Sequence, residues 1–333
     1  MAKIKTLVFL GDLMLGRRVS RKINDHAPEW FWGSTLPILQ RVDAAVANLE
    51  SPITRSDARW NRSWKMFHFR ADPAAIHILQ CANIRFVSLA NNHALDFGEA
   101  GLFDTIRALD AADIRHAGAG RNVAAAAAPA ILELSELKVG FIAATDTMRP
   151  FAAGTNSAGT HFIEISDENK DAMDWIERSV VETRQAGADM VVLSLHWGPN
   201  LRISPTRRFR LFAHAAIERG VDVIHGHSAH VAQAVERHKN GLILYGTGNF
   251  IDDSWKVPFH ATTTSFVFVL EIVGRRPSRL RMLPIHLEAG TPQRTTGKKL
   301  DDIKRRMKHL CAALGVPIVD VPDGLELIIY EQH

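Results

Sequence analysis

Six stretches of this chain share one pattern: a short aliphatic and β-branched run that stops at Asp, Glu, Asn or His. LVFLGD ends at Asp12, AAVANLE at Glu50 and FVSLANNH at Asn92 and His93. VVLSLHWG reaches His196, VDVIHGHSAH carries His225, His227 and His230, and LILYGTGNF ends at Asn249. Runs that are apolar at successive positions mark parallel strands buried on both faces, and open α/β sheets bind ligands outside the carboxyl ends of such strands. Helical patterns lie between them. ADPAAIHILQCAN places Pro73 where a first turn accepts it, and GEAGLFDTIRALDAADI repeats the helical period. ENKDAMDWIERSVVETRQAGAD and SPTRRFRLFAHAAIERG predict amphipathic helices closed by Gly187 and Gly220. KVGFIAATD predicts a further strand, APEWFWGS a polar aromatic loop, and the alanine run 124–128 a helical turn before Pro129.

The βα alternation ends near residue 230. Beyond it, VERHKNGLILYG predicts a hairpin, TTSFVFVLEIV and RLRMLPIHLEAG two antiparallel strands, and the last segment one helix and a closing strand. No Pro-, Gly- or Ser-rich linker interrupts the chain, so the expectation is one domain over 1–333, with the motifs in 5–255 and the closing strands and helix in 256–333. Its 333 residues, 46% of them hydrophobic, suffice for a large core.

Composition narrows the setting. Two cysteines far apart, Cys81 and Cys311, argue against a disulfide framework and for a reducing compartment. The apolar run at the start is broken by Asp12, and no stretch approaches the ~18 apolar residues of a membrane span. The reading is a soluble cytoplasmic protein without a membrane span. The net charge of +4 gathers in RISPTRRFR, RRPSRLR and KKLDDIKRRMK, which read as solvated faces; no nucleic-acid motif accompanies them, so no nucleic-acid partner is expected.

The polar strand ends carry the chemistry. Carboxylates, an amide oxygen and neutral imidazoles together suit zinc, manganese or iron(II) better than calcium or magnesium. Asp12, Glu50, Asn92, His196 and His227 are the candidate ligands. Asn91 is assigned to turn chemistry, and His93 is a ligand or an acid–base group. Alternation puts His225 and His227 on one side of a strand, with His230 past a turn, and His225 and His230 join His93 as proton-transfer candidates. Gly198 would let backbone approach a ligand. Asn249 would bond a ligand or orient a histidine, and Trp197 is a candidate for substrate contact. Trp30, Trp32, Trp60, Trp64 and Trp197 either pack locally or line a peptide cleft. Ten further histidines, His161 and His333 among them, default to solvent or packing.

In order along the chain, GDLMLGR, ANLESPIT, FHFRADP, SLANNHALDFGEAGL, AGAGRN, SLHWGPN, IHGHSAHVAQAVE and LILYGTGNFIDD closely resemble the bacterial capsule synthesis protein CapA family, the poly-γ-glutamate biosynthesis proteins. The resemblance implies an α/β fold of the calcineurin-like metallophosphoesterase type, a sandwich of two mixed β-sheets flanked by helices. It also implies a centre of one or two divalent ions in which Asp12 is the first-motif aspartate and Glu50 the bridging carboxylate. Asn92 and His93 then form the Asn-His pair, His196 is the fourth-motif histidine, and His227 and His230 are the final pair. Arg70 would lie near the site, where it could meet a substrate carboxylate. One departure stands out: Asp12-Leu13-Met14 lacks the histidine of the usual Asp-x-His. Either His225 supplies that ligand from another strand or the centre holds a single ion. The expected activity is metal-dependent hydrolysis of a polyglutamyl or peptide-like amide. Epimerisation, a capsule-assembly scaffold and a phosphoesterase are the alternatives.

Overall fold

The computed structural model describes residues 4–253 and 260–330; His333 lies outside them. Ten strands occupy the first part: β1 (Ile4–Leu13), β2 (Ala44–Leu49), β3 (Ile84–Ser88), β4 (Arg115–Ala117), β5 (Ala119–Gly120), β6 (Ala130–Leu134), β7 (Leu137–Thr145), β8 (Gly159–Thr160), β9 (Met190–His196) and β10 (Val223–His227). β11 (Val235–His238), β12 (Gly241–Leu244), β13 (Asn249–Ile251), β14 (Thr264–Val273), β15 (Arg276–Glu288), β16 (Thr291–Arg294), β17 (Val319–Val321) and β18 (Gly324–Ile328) follow. One sheet runs β17-β18-β15-β14-β1-β2-β3-β4, with β13 beside β1 and β16 beside β15; a second runs β11-β12-β10-β9-β7-β6. β1 pairs in parallel with β2 and antiparallel with β14, while β7, β9, β10 and β12 are parallel neighbours flanked by antiparallel β6 and β11, so both sheets are mixed.

Alternation along each strand explains the layering. In β1, Leu7 and Phe9 join one apolar cluster with Phe86, Phe141, Val192 and Phe268, drawn from both sheets. Val8 and Leu10 point the other way, into a cluster with Ile78, Leu79, Leu102 and Leu109 of the outer helices. On the second sheet, Val191 and Leu193 meet Ile176 of the helix Lys170–Gln185 and Phe212 of the helix Arg207–Glu218. A strand buried on both faces must be apolar at every position, as these sequences are. The result is two mixed sheets face to face with helices outside, the expected architecture.

The helices begin and end as expected. Asn169 and Thr206 cap theirs through side-chain oxygens, and Gly187 and Gly220 adopt positive φ just past the ends. Two segments differ from expectation. APEWFWGS is not an open loop: Pro28–Thr35 forms 3₁₀ turns kinked at Gly33, because Phe31 and Trp32 are buried and Trp32 Nε1 donates to the Ile78 carbonyl. The closing segment yields two short strands, β17 and β18, where one was expected. Among the described residues, no helix is long and apolar enough to cross a membrane.

Candidate metal centre

The carboxyl ends of β1, β2, β9 and β10 converge, and register does the convergence. Asp12 pairs with Asn48 of β2 and with Asn249 of β13, while His196 pairs with His227. Asp12 sits at a register shift in β1, next to Gly11, where a Cβ would stand 1.7 Å from the Gly248 carbonyl oxygen. Only a glycine lets β1 pass that close, and the Asp12 amide then donates to Gly248 at 2.9 Å.

Among the described residues, two groups could hold a cation: Asp12, His196 and His227, and Asp12, Glu50 and His230, each with ligand atoms within 4.8 Å of one another. Asp12 is common to both, whereas the family pattern would give the bridging place to Glu50. Asp12 lies 3.1 Å from His230 Nδ1 through Oδ2 and 4.0 Å from His227 Nδ1 through Oδ1. Both oxygens of the buried Glu50 and the buried Oδ1 of Asn92 lack a hydrogen-bond partner among the described residues. Three imidazole Nε2 atoms, of His93, His196 and His230, stand 3.9–4.0 Å from Glu50 Oε1. Buried oxygens without partners are costly unless a cation takes their lone pairs, so the donor set fits a divalent ion.

Hydrogen-bond logic fixes the tautomers. The Leu10 carbonyl can only accept, so His225 Nε2 donates to it at 2.8 Å. The neutral ring then accepts at Nδ1 from Ser194 Oγ at 3.3 Å. With its proton spent, Ser194 Oγ must accept from His227 Nε2 at 3.0 Å, which leaves His227 Nδ1 bare. His196 Nδ1 is also bare, since Asn48 Nδ2 donates toward it at 3.3 Å and to Asp12 at 2.8 Å. The two bare nitrogens face each other at 3.0 Å beside Asp12, a ligand arrangement for a cation.

Burial sets the charges. It pushes His196 down to about 3 and His225 to about 4 from the ordinary 6.5, and His227 well below it. Burial and then the Asp12 charge hold Glu50 well above 4.5. Burial opposes ionisation of Asp12 too, but the hydrogen bond and charge of His230 outweigh it, and Asp12 falls below 3.8. His230 in turn rises to about 10, because Glu50 and Asp12 outweigh the burial that disfavours its charge. The buried carboxyl groups thus hold the positive charge on His230.

A cleft of about 620 Å³ opens above the centre, with Glu50, Asn92, His93, His230 and Asn249 in its wall. Asn249 Oδ1 accepts from His230 Nδ1 at 2.9 Å, so it orients a histidine. Three assignments need correcting. His225 lies behind His227, fully buried with both ring nitrogens engaged, so it neither contacts substrate nor replaces the missing first-motif histidine; Met14 lines the cleft there. Arg70 is turned away to the Ser56 carbonyl and Asp57 and packs over Phe97. Trp197 is core: its indole donates to the Tyr245 carbonyl and it packs on Phe209 and Phe212. Gly198 serves a positive φ and an N–H bond to Asp146. Of the tryptophans, Trp32, Trp60 and Trp197 are buried and Trp64 is exposed at the cleft.

Sequence reasoning missed Asn48 and Asp96. Asn48 lies near the end of β2, two residues before Glu50, and Asn91 locks its amide by donating to Oδ1 at 2.9 Å. Asp96 Oδ2 is 2.7 Å from His93 Nδ1, three residues away, and also accepts from the Phe69 amide.

Comparison with known proteins follows the same residues. A family model for the bacterial capsule synthesis protein PGA_cap matches residues 6–254. A probable polyglutamine synthesis accessory protein of Mycobacterium tuberculosis is 29% identical, over 97% of this chain and 95% of its own. The capsule biosynthesis protein CapA of Bacillus anthracis is 28% identical, over 87% of this chain and 69% of its own. Among solved structures, the calcineurin-like phosphoesterase YfkN of Bacillus subtilis covers 95% of this chain and 100% of its own, at 11% identity and a TM-score of 0.43. The family match runs from β1 past Asp252 and so takes in every residue of the centre: the chain belongs to the bacterial capsule synthesis protein PGA_cap family.

Proposed function

We propose that this protein is a metal-dependent hydrolase of amide bonds in glutamyl or peptide-like substrates. The relatives named for capsule and polyglutamine synthesis bring the glutamyl class into the proposal. The two free cysteines suit the reducing, cytoplasmic setting that belongs to the same reading. A divalent ion held by Asp12 with His196 and His227, by Asp12 with Glu50 and His230, or by both sets, would polarise a carbonyl and acidify water there.

The observation that carries the proposal is the His93–Asp96 pair beside that centre. His93 Nδ1–H donates to Asp96, which leaves Nε2 bare and 4.0 Å from Glu50. Phe69 stacks on the ring at 4.2 Å and holds its plane. Burial outweighs the Asp96 charge and keeps His93 below 6.5, so the ring is neutral at pH 7 and takes a proton from the attacking water. It returns that proton to the departing amine as the C–N bond breaks and the water oxygen remains on the acyl carbon.

Incubation with γ-glutamyl and α-peptide amides in heavy water, read by mass and stereochemistry, tests this. Fragments without deuterium at the α-carbon are expected. Deuterium gain without fragments would replace hydrolysis by epimerisation, and neither signal across the panel would leave the scaffold reading.

A further inference from the structure

The loop after β2 does something costly in plain view. Trp64, Met66 and Phe67 are 80%, 64% and 52% exposed, three large apolar side chains within four residues, and all three line the cleft. Between them Lys65 turns inward. Its side chain is only 7% exposed, and Nζ reaches Asp96 Oδ1 at 3.2 Å and the Asn92 carbonyl at 2.6 Å. A buried ion pair therefore anchors the loop with its apolar side chains displayed beside the centre. Clustered exposed apolar groups at a cleft mark a surface that something covers.

Arg17 lines the same cleft. Its guanidinium stacks on Phe69 and Phe67, 5.2 and 5.7 Å from the ring centroids. A guanidinium held near rings spends none of its N–H donors on them, and among the described residues no ion pair joins it to a carboxylate; Asp253 feels its charge only at longer range. Arg17 also holds φ at 53°, and Met148, Leu201 and His230 of the same cleft lie at 54°, 64° and 58°. Left-handed backbone at non-glycine residues is sustained where a site requires it.

We propose that the cleft selects substrates that carry a free carboxylate beside a large apolar group: Arg17 holds the carboxylate, and Trp64, Met66 and Phe67 hold the apolar group. This rests on the amide-hydrolase reading and narrows its substrate class from glutamyl compounds at large to those with an apolar flank. It also moves to Arg17 the role expected of Arg70.

The test is equilibrium binding, which needs no turnover. N-phenylacetyl-DL-glutamate, N-acetyl-DL-glutamate and the carboxylate-free N-phenylacetylglutamine amide are titrated calorimetrically into the protein as purified and after chelator treatment. The first should bind about tenfold more tightly than either of the others, the scale of one charge-assisted pair or one buried aromatic ring. Arg17→Gln should abolish the acid-over-amide preference and leave the preference for the phenyl group. The combined W64A, M66A and F67A variant should do the reverse, and unchanged melting temperatures show that both variants fold. Equal binding of the three probes overturns the proposal, as does an acid preference that survives Arg17→Gln or vanishes with the metal instead. Substrate cleavage with Arg17 silent would remove this inference alone. The expected binding pattern without cleavage would remove only the hydrolase.

Discussion

At the scale of single residues, position relative to the centre decides what each histidine does. His93→Ala should retain bound metal yet lose ~10²- to 10⁴-fold in turnover if His93 is the proposed proton carrier, since it is in neither ligand group; elemental analysis beside a rate assay checks both halves. Ser194→Ala breaks the chain that holds His227 in its ligand tautomer, so metal affinity should fall about 10- to 100-fold, measured by competition with a chelating dye. An unchanged affinity would show that His227 needs no such support. His161 offers a clean pH prediction away from the centre. It is buried against Trp175 with neither ring nitrogen hydrogen-bonded, and burial pushes it to about 4 from 6.5. A lowered histidine pKa means the unfolded chain binds the proton more tightly between pH 6.5 and 4, so its neutral form supports the fold above that window and the support is lost as pH falls through it. His161→Phe should therefore lose about 2 kcal/mol less stability than the parent between pH 7 and pH 5, read from urea midpoints at each pH. No residue type in the sequence separates His161 from His93; their surroundings do.

At the scale of elements, strand register explains why ligands distant in sequence meet. Asp12, Asn48 and Asn249 are neighbours because β1 lies between β2 and β13, and His196 and His227 because β9 lies beside β10. Gly11→Ala would drive a methyl group into the Gly248 backbone, so it should destabilise the fold by roughly 3 kcal/mol or more and displace Asp12, visible as lost metal content in whatever protein still folds. The apolar runs and their polar ends were legible because period and burial leave a direct imprint on sequence. The 3₁₀ segment around Trp32 was not, because aromatic residues between a proline and a glycine look alike in a loop and in a tight turn. Only the partner surface, here Ile78, separates the two.

At the scale of the whole molecule, the centre joins two sheets: Asp12, Asn48 and Glu50 come from one, His196 and His227 from the other. A ligand that bridges them should stabilise the folded chain as a unit. Added zinc or manganese at 100 times its dissociation constant should contribute about 2.7 kcal/mol, seen as a concentration-dependent rise in melting temperature that Asp12→Ala, the change at the residue common to both ligand groups, abolishes. A rise that persists in that variant would mean the ion binds elsewhere. The sequence by itself determined the strand and helix alternation, the family and the donor types at the strand ends, because buried parallel strands and metal ligands both demand particular residues at particular periods. The tertiary structure alone decided orientation: that His225 stands behind His227, that Trp197 is packing and Trp64 is not, and that Arg17 faces the cleft while Arg70 turns away. Which way a side chain points depends on neighbours brought from far along the chain, and no local pattern encodes them.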